Sequence, residues 1–74
     1  MAIRLGSKVR VARPQGIVWY RQQFNRTAAA VLYVIIVEGD LAYVSYRRRG
    51  KTKGAQLLAR ALACVRKHSL ELVA

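Results

Sequence analysis

The alternation of apolar and polar positions predicts several short β-strands in the first two thirds of the chain. Val9 and Val11 lie on one face of the first segment and basic side chains on the other, which is typical of a strand covered on one side. A continuous apolar run rich in Val and Ile predicts a central strand buried on both faces. We expect four strands here, at residues 8–13, 17 to about 24, 31–37 and 41–46.

The turn signals and the last third of the chain complete the pattern. Asn25, Arg26 and Thr27 predict one turn, and residues 38–40 predict a tight hairpin around Gly39. After a basic loop, apolar residues recur at helical spacing and predict an amphipathic helix of about 12 to 14 residues at about 54–67, with Thr52 as its N-cap. Its apolar face consists of Leu57, Leu58, Ala61, Leu62, Cys64 and Val65. Alternation returns at 70–73, where we expect a last short strand.

This order of elements predicts a mainly β fold, a small five-stranded SH3-like barrel with one helix before the last strand. The alternative is a three-stranded sheet with a packed helix. The barrel is favoured because it gives the terminal strand an edge to pair with. We expect residues 1–74 to form a single domain, since 74 residues leave no room for a second.

Charge is the most unusual property of the composition. Fourteen Lys and Arg residues stand against three acidic ones, for a net charge of +11, while 54% of the residues are apolar. The apolar content excludes a disordered basic tail, and the charge predicts a polyanionic or acidic partner. The longest uncharged apolar run, 28–37, is too short for a membrane span of roughly 18 residues. With no export signal and a single cysteine, Cys64, we expect a soluble or peripheral protein in a reducing compartment.

No combination of residues predicts catalysis. Residues 50–52 resemble the end of a phosphate-binding loop, but that loop also needs a glycine at position 45, which is serine. Cys64 and His68 lack a third group to orient them, and His68 has no metal-ligand neighbours at a suitable spacing. We therefore expect no enzyme activity, no cofactor and no metal.

The basic residues are the strongest candidates for function. They fit a surface that contacts phosphates, with Trp19 or Tyr46 available to stack on bases. They fit equally a surface that docks an acidic protein. The candidate partner-binding residues are Lys8, Arg10, Arg13, Arg47, Arg48, Arg49, Lys51 and Lys53.

A series of short segments along the chain forms a recognisable order. They are residues 1–3 with 6–11 and 13–14, the aromatic pair Trp19-Tyr20, residues 32–33 with 35–37, residues 44–46 and residues 70–73. In that order they resemble the N-terminal strand, the aromatic pair and the central, following and closing strands of the photosystem I reaction centre subunit IV (PsaE) family. The pieces cover roughly half the chain.

The resemblance implies a five-stranded SH3-like barrel, peripheral to the thylakoid on the stromal or cytoplasmic side. Such a subunit binds the photosystem I core and iron–sulfur subunits and assists docking of ferredoxin or flavodoxin, without a cofactor. The basic residue that the family carries after its central strand aligns with Glu38, so the docking charge would fall to Arg47, Arg48 and Arg49. Our leading expectation is this non-catalytic docking subunit. The alternative is a small ribosomal or nucleoid-type nucleic-acid-binding barrel that uses residues 47–53.

Overall fold

The fold is known from a computed structural model that describes residues 2–25 and 30–73. The chain makes one 3-10 turn at Pro14–Gly16 and a second at Lys67–Ser69. The described α-helix is α1, Ala55–Arg60. The strands are β1 Lys8–Val11, β2 Ile17–Tyr20, β3 Leu32–Glu38, β4 Leu41–Ser45, β5 Ala63–Arg66 and β6 Leu70–Leu72.

The six strands form one antiparallel sheet in the order β2-β5-β4-β3-β1-β6. The sheet curls at the two 3-10 turns, where the chain passes from one edge region of the sheet to the other. The first joins β1 to β2 and the second joins β5 to β6, while β1 pairs with β6 and β2 pairs with β5. Two bent ribbons therefore run antiparallel to each other and bring the sheet around into a barrel-like fold.

Alternate residues of the strands fill the interior. Val9 of β1 lies opposite Leu32 of β3 and Leu72 of β6, so the inner faces of three strands meet at this position. Because these side chains are β-branched or aliphatic, they pack well on a pleated surface. The buried interior residues are Val9, Phe24, Leu32, Val34, Ala42, Val44, Ala63, Val65 and Leu70.

A second, smaller cluster lies on the outer face of the sheet beneath α1. Leu57 of α1 and Ala61, the residue that follows the helix, bury Ile35 of β3, and Trp19 and Tyr43 pack at the margin. The rings of Trp19 and Tyr43 meet edge to face, with centroids 5.8 Å apart. The helix thus covers one side of the barrel, and β3 is buried on both faces near its start, as the apolar run predicts.

The two 3-10 turns are in unusually close contact. The carbonyl oxygen of Ser69 accepts hydrogen bonds from the backbone N–H groups of Ala12 and Arg13, at 2.8 and 3.1 Å. Gly16 packs directly on Ser69, and a Cβ atom at position 16 would lie 1.8 Å from the Ser69 Oγ and 2.3 Å from its Cβ. Glycine is therefore required here by space, since only hydrogen fits between the turns.

The predicted mainly β, barrel-like fold with one helix is confirmed, and Gly39 has the positive φ of 61° that the hairpin requires. The predicted strands are present. Four of them are shorter than predicted, the strand predicted at 31–37 is shifted by one residue to 32–38, and the number of strands is six rather than five. The turn predicted at 25–27 and the start of the apolar run at 28 lie largely outside the described residues. Within the part of the chain that is described, no helix is long and apolar enough to cross a membrane.

The helix predicted at about 54–67 is wrong in extent. It ends at Arg60, and Ala63–Arg66 forms β5 between β4 and β2. The apolar positions from 57 to 65 fit a helical period, but those at 63–65 also suit a strand buried on both faces. Two neighbouring strands offer that segment backbone hydrogen bonds on both sides, and this tertiary pairing outweighs the local pattern. Thr52 is not the N-cap either, because Gly54 holds that position with a φ of 68°.

Candidate functional site

Between β4 and α1 the chain forms a loop with five cationic side chains, which we call the basic loop. Gly50 and Gly54 both have positive φ, at 58° and 68°, and so allow the chain to reverse direction. The Thr52 N–H donates to the Arg49 carbonyl at 3.2 Å and closes one turn. The five cations of the basic loop are Arg47, Arg48, Arg49, Lys51 and Lys53.

Arg60, at the end of α1, anchors the basic loop. Its guanidinium donates to the Thr52 hydroxyl, to the Arg48 carbonyl at 3.2 Å and to the Arg49 carbonyl at 3.5 Å. Arg49 adds a hydrogen bond from its Nε to the Thr52 carbonyl at 3.3 Å. Arginine suits this role because its planar fork reaches several acceptors at once. The loop backbone is therefore tied to the helix, although most of the loop's side chains are exposed.

Arg48 extends the basic loop onto the sheet. Its guanidinium carbon lies 5.0 Å from the centroid of the Tyr33 ring, within the range of a cation–π interaction. Tyr33 is the cross-strand neighbour of Lys8, and both residues lie on the outer face because the adjacent pair, Val9 and Leu32, points inward. The structure thus brings Lys8 of β1 next to the basic loop.

The other two candidate cations lie apart from this group. Arg10 pairs with Glu71 on β6, with a distance of 2.9 Å between Nε and Oε1. Both side chains are about half exposed, so this pair contributes little to stability. Arg13 lies beside the 3-10 turns, in a cleft with Arg66 and His68. The eight candidate residues therefore form one group of six and two separate positions.

Negative charge is scarce and lies away from the basic loop. The chain has three acidic residues, of which Glu71 pairs with Arg10 and Asp40 pairs with Arg66 at 3.3 Å. Glu38 and Asp40 flank the hairpin that precedes β4, whereas the basic loop follows β4. A five-residue strand spans roughly 15 Å. Among the described residues, no carboxylate forms an ion pair with the five loop cations.

An aromatic cluster adjoins the start of the basic loop. Tyr46 stacks on Phe24 with ring centroids 6.3 Å apart, and Phe24 contacts Tyr20 at the same distance. Tyr46 is 38% exposed and Tyr20 is 45% exposed. Of the two aromatic residues proposed to stack on bases, Tyr46 is therefore exposed beside the loop. Trp19 is half-buried beneath α1 and belongs to the outer core cluster.

Sequence reasoning missed the roles of two arginines. In the predicted helix, Arg60 falls on the face opposite the apolar positions, which is usually solvated, yet in the structure it holds the basic loop. Arg21 donates from its Nε to the Ala61 carbonyl at 2.7 Å and lies 5.5 Å from the centroid of the Trp19 ring, so it fastens the end of α1 to β2. No local signal separates these structural arginines from the exposed ones, because their partners are distant in the sequence.

Cys64 of β5 lies between two cross-strand neighbours, Trp19 of β2 and Tyr43 of β4. Burial raises the pKa of the Cys64 thiol, and a hydrogen bond with Tyr43 partly opposes this. Burial, with the nearby Cys64 and Glu38, also raises the pKa of Tyr43. The thiol is therefore held in its protonated, unreactive form at neutral pH. In residues 2–25 and 30–73, no three His, Cys, Asp or Glu side chains are placed to hold a metal ion.

The fold and the surface together define a small β-barrel-like domain with an anchored, strongly cationic loop. A comparison with known protein families, with curated proteins and with solved structures found no match for this chain.

Proposed function

We propose that this chain is a non-catalytic nucleic-acid-binding domain whose basic loop contacts the phosphate backbone. The observation that carries the proposal is the basic loop itself. Five cations lie on a backbone that Arg60 and Arg49 hold in place, and none forms an ion pair with a carboxylate in the described parts of the chain. A loop fixed before binding loses less conformational entropy when it contacts phosphates.

The spread of the remaining charge favours a nucleic acid over an acidic protein. Cations also occupy the N-terminal segment and the region of the 3-10 turns, with examples at Arg4 and Arg13. A docked protein covers one patch of surface, whereas an extended polyanion contacts several faces at once. The exposed ring of Tyr46 beside Arg47 adds a surface on which an unpaired base can stack.

Binding of the full chain to fluorescently labelled oligonucleotides tests this function. The loop variant changes Arg47, Arg48, Lys51 and Lys53 to Gln and leaves Arg49 to hold the loop backbone. The control variant removes charge from positions outside the loop, with Arg4, Arg10 and Lys67 changed to Gln. At about 0.1 M salt we expect the loop variant to lose on the order of 10²- to 10³-fold in affinity and the control variant much less. Equal losses in both variants would show that the loop is not the binding site.

The second candidate is docking of an acidic electron carrier at the photosynthetic membrane. It is supported by the resemblance of the N-terminal stretch to the photosystem I subunit IV family, because that stretch contains β1 and places Lys8 beside Arg48 and Tyr33. In this case the chain binds the core and iron–sulfur subunits of photosystem I, and the basic loop attracts ferredoxin or flavodoxin.

The two candidates predict different companions for the native protein. As a docking subunit, the chain purifies with a chlorophyll-containing complex and speeds reduction of ferredoxin at low salt. As a nucleic-acid-binding domain, it purifies with RNA or DNA and is released by nuclease. Recovery with chlorophyll and insensitivity to nuclease would refute the first proposal, and the reverse result would refute the second.

A further inference from the structure

A cleft of about 400 Å³ opens where the two 3-10 turns meet. It is distinct from the basic loop, since the second turn is joined to the hairpin before β4 by a 2.8 Å hydrogen bond from the Lys67 N–H to the Asp40 carbonyl. The basic loop begins at the other end of β4, roughly 15 Å away. The cleft is lined by Arg13, Gln15, Gly16, Arg66, His68 and Ser69.

The floor of this cleft is rigid. Ser69 is 2% exposed, and its carbonyl oxygen accepts the two backbone hydrogen bonds from Ala12 and Arg13 described above. Gly16 packs against the Ser69 side chain with no space for a methyl group. Arg13 on one wall and His68 on the other are therefore attached to backbone segments that cannot move apart easily.

The rim of the cleft carries three side chains that can donate N–H hydrogen bonds. Arg13 and Arg66 supply guanidinium groups, whose planar N–H forks match the oxygens of a phosphate, and His68 supplies an imidazole. Asp40 is the acidic residue that contacts this rim, through its 3.3 Å ion pair with Arg66. That pair is exposed on both sides, at 51% and 72%, so an incoming anion can displace the carboxylate at little cost.

We propose that the cleft between the 3-10 turns is a phosphate-binding subsite formed by Arg13, Arg66 and His68. The ligand is a single phosphate group, either a free monoester or a phosphate of a nucleic-acid backbone. This inference does not depend on the role of the basic loop. If both surfaces bind phosphate, the domain contacts two separated phosphates of one strand or of two strands.

Titration of the ¹⁵N-labelled chain with inorganic phosphate, followed by NMR, tests the proposal. We expect saturable shifts at Arg13, Gly16 and the His68 ring, with affinity in the millimolar range. Arg13→Gln and His68→Gln each weaken binding several-fold, and because both side chains are exposed the variants stay folded. Lys51→Gln, in the basic loop, leaves the affinity unchanged.

Asp40→Asn is expected to raise the affinity for phosphate. Removing the competing carboxylate frees Arg66, so phosphate binding tightens by about two- to fivefold. Shifts that do not saturate at tens of millimolar phosphate, or that survive both Arg13→Gln and His68→Gln, would overturn the subsite. A competing oligonucleotide identifies the source of the phosphate: displacement of inorganic phosphate indicates a backbone phosphate, and retention indicates a monoester.

Discussion

The contact between Gly16 and Ser69 offers the sharpest test of how the barrel closes. In Gly16→Ala, the added Cβ would lie 1.8 Å from the Ser69 Oγ and 2.3 Å from the Ser69 Cβ. Ordinary carbon–carbon contacts are about 3.5–4.0 Å, so the two turns must separate by more than about 1 Å. Rotation of the Ser69 side chain gives no relief, because its Cβ is itself too close.

The cost of that separation follows from the contacts it disturbs. Overpacking in a filled interior costs about 1–3 kcal/mol, and each weakened backbone hydrogen bond adds about 0.5–1.5 kcal/mol. Two such bonds, from Ala12 and Arg13 to the Ser69 carbonyl, cross the contact. We expect Gly16→Ala to lower the free energy of unfolding by about 3 kcal/mol and Tm by roughly 12–24 °C.

Urea unfolding followed by circular dichroism measures this change, and a double-mutant cycle isolates the contact. Ser69→Gly removes both clashing atoms, so the double variant recovers at least about 2 kcal/mol relative to the sum of the single changes. A loss below about 0.5 kcal/mol in Gly16→Ala, or strict additivity in the double variant, would refute the close packing of the turns.

Two further predictions concern the loop anchor and the buried thiol. Arg60→Lys keeps the charge but loses the planar guanidinium that reaches Thr52 and two carbonyls. We therefore expect faster tryptic cleavage in the basic loop and a decrease of about 1–2 kcal/mol in the free energy of unfolding. Arg10→Lys is the matched control, and equal cleavage rates in both variants would contradict the anchoring role. Because the pKa of Cys64 is raised above its ordinary value of 9.0 and that of Tyr43 above 10.0, the stability these protonated groups provide is fully present below about pH 9 and is lost as pH rises through the folded values. The urea midpoint therefore decreases as the pH rises from about 9 to 10.5. A Cys64→Ala variant with the same pH slope as the parent would show that the thiol does not contribute.

The strands were predictable because their apolar residues alternate or run continuously. Val9 identifies the inner face of β1, and the run ending at Val37 identifies the strand that is covered on both sides. Gly39 marks the hairpin, since few other residues adopt positive φ. These signals are local, and local signals are what a single sequence displays best.

The extent of the helix was not predictable in the same way. Ala63, Cys64 and Val65 continue an apolar pattern that a helix also satisfies, and the pairing of β5 with β2 and β4 decides between them. That pairing depends on residues more than 15 positions away in the chain. The sixth strand and the shortened helix are consequences of tertiary structure.

The candidate site likewise has one part that the local sequence predicts and another that depends on tertiary structure. The basic loop was evident from five cations within seven positions, and the structure keeps it as an exposed loop. The anchoring by Arg60, the link from Arg48 through Tyr33 to Lys8, and the cleft at Arg66 and His68 all join residues from different elements. Charge composition indicates how many cations there are, but only the fold determines which of them share a surface.

The salt dependence of oligonucleotide binding tests the central claim most directly. The logarithm of the affinity falls with the logarithm of salt concentration, with a slope of about −0.7 for each phosphate contact on a single strand. Comparison of the parent chain with the loop variant, in which Arg47, Arg48, Lys51 and Lys53 are Gln, counts the contacts that the loop makes. We predict that the slope becomes shallower by about 3 in the loop variant and changes by less than about 1 in the control variant. An identical slope in the parent and the loop variant would contradict the claim that the basic loop binds the phosphate backbone.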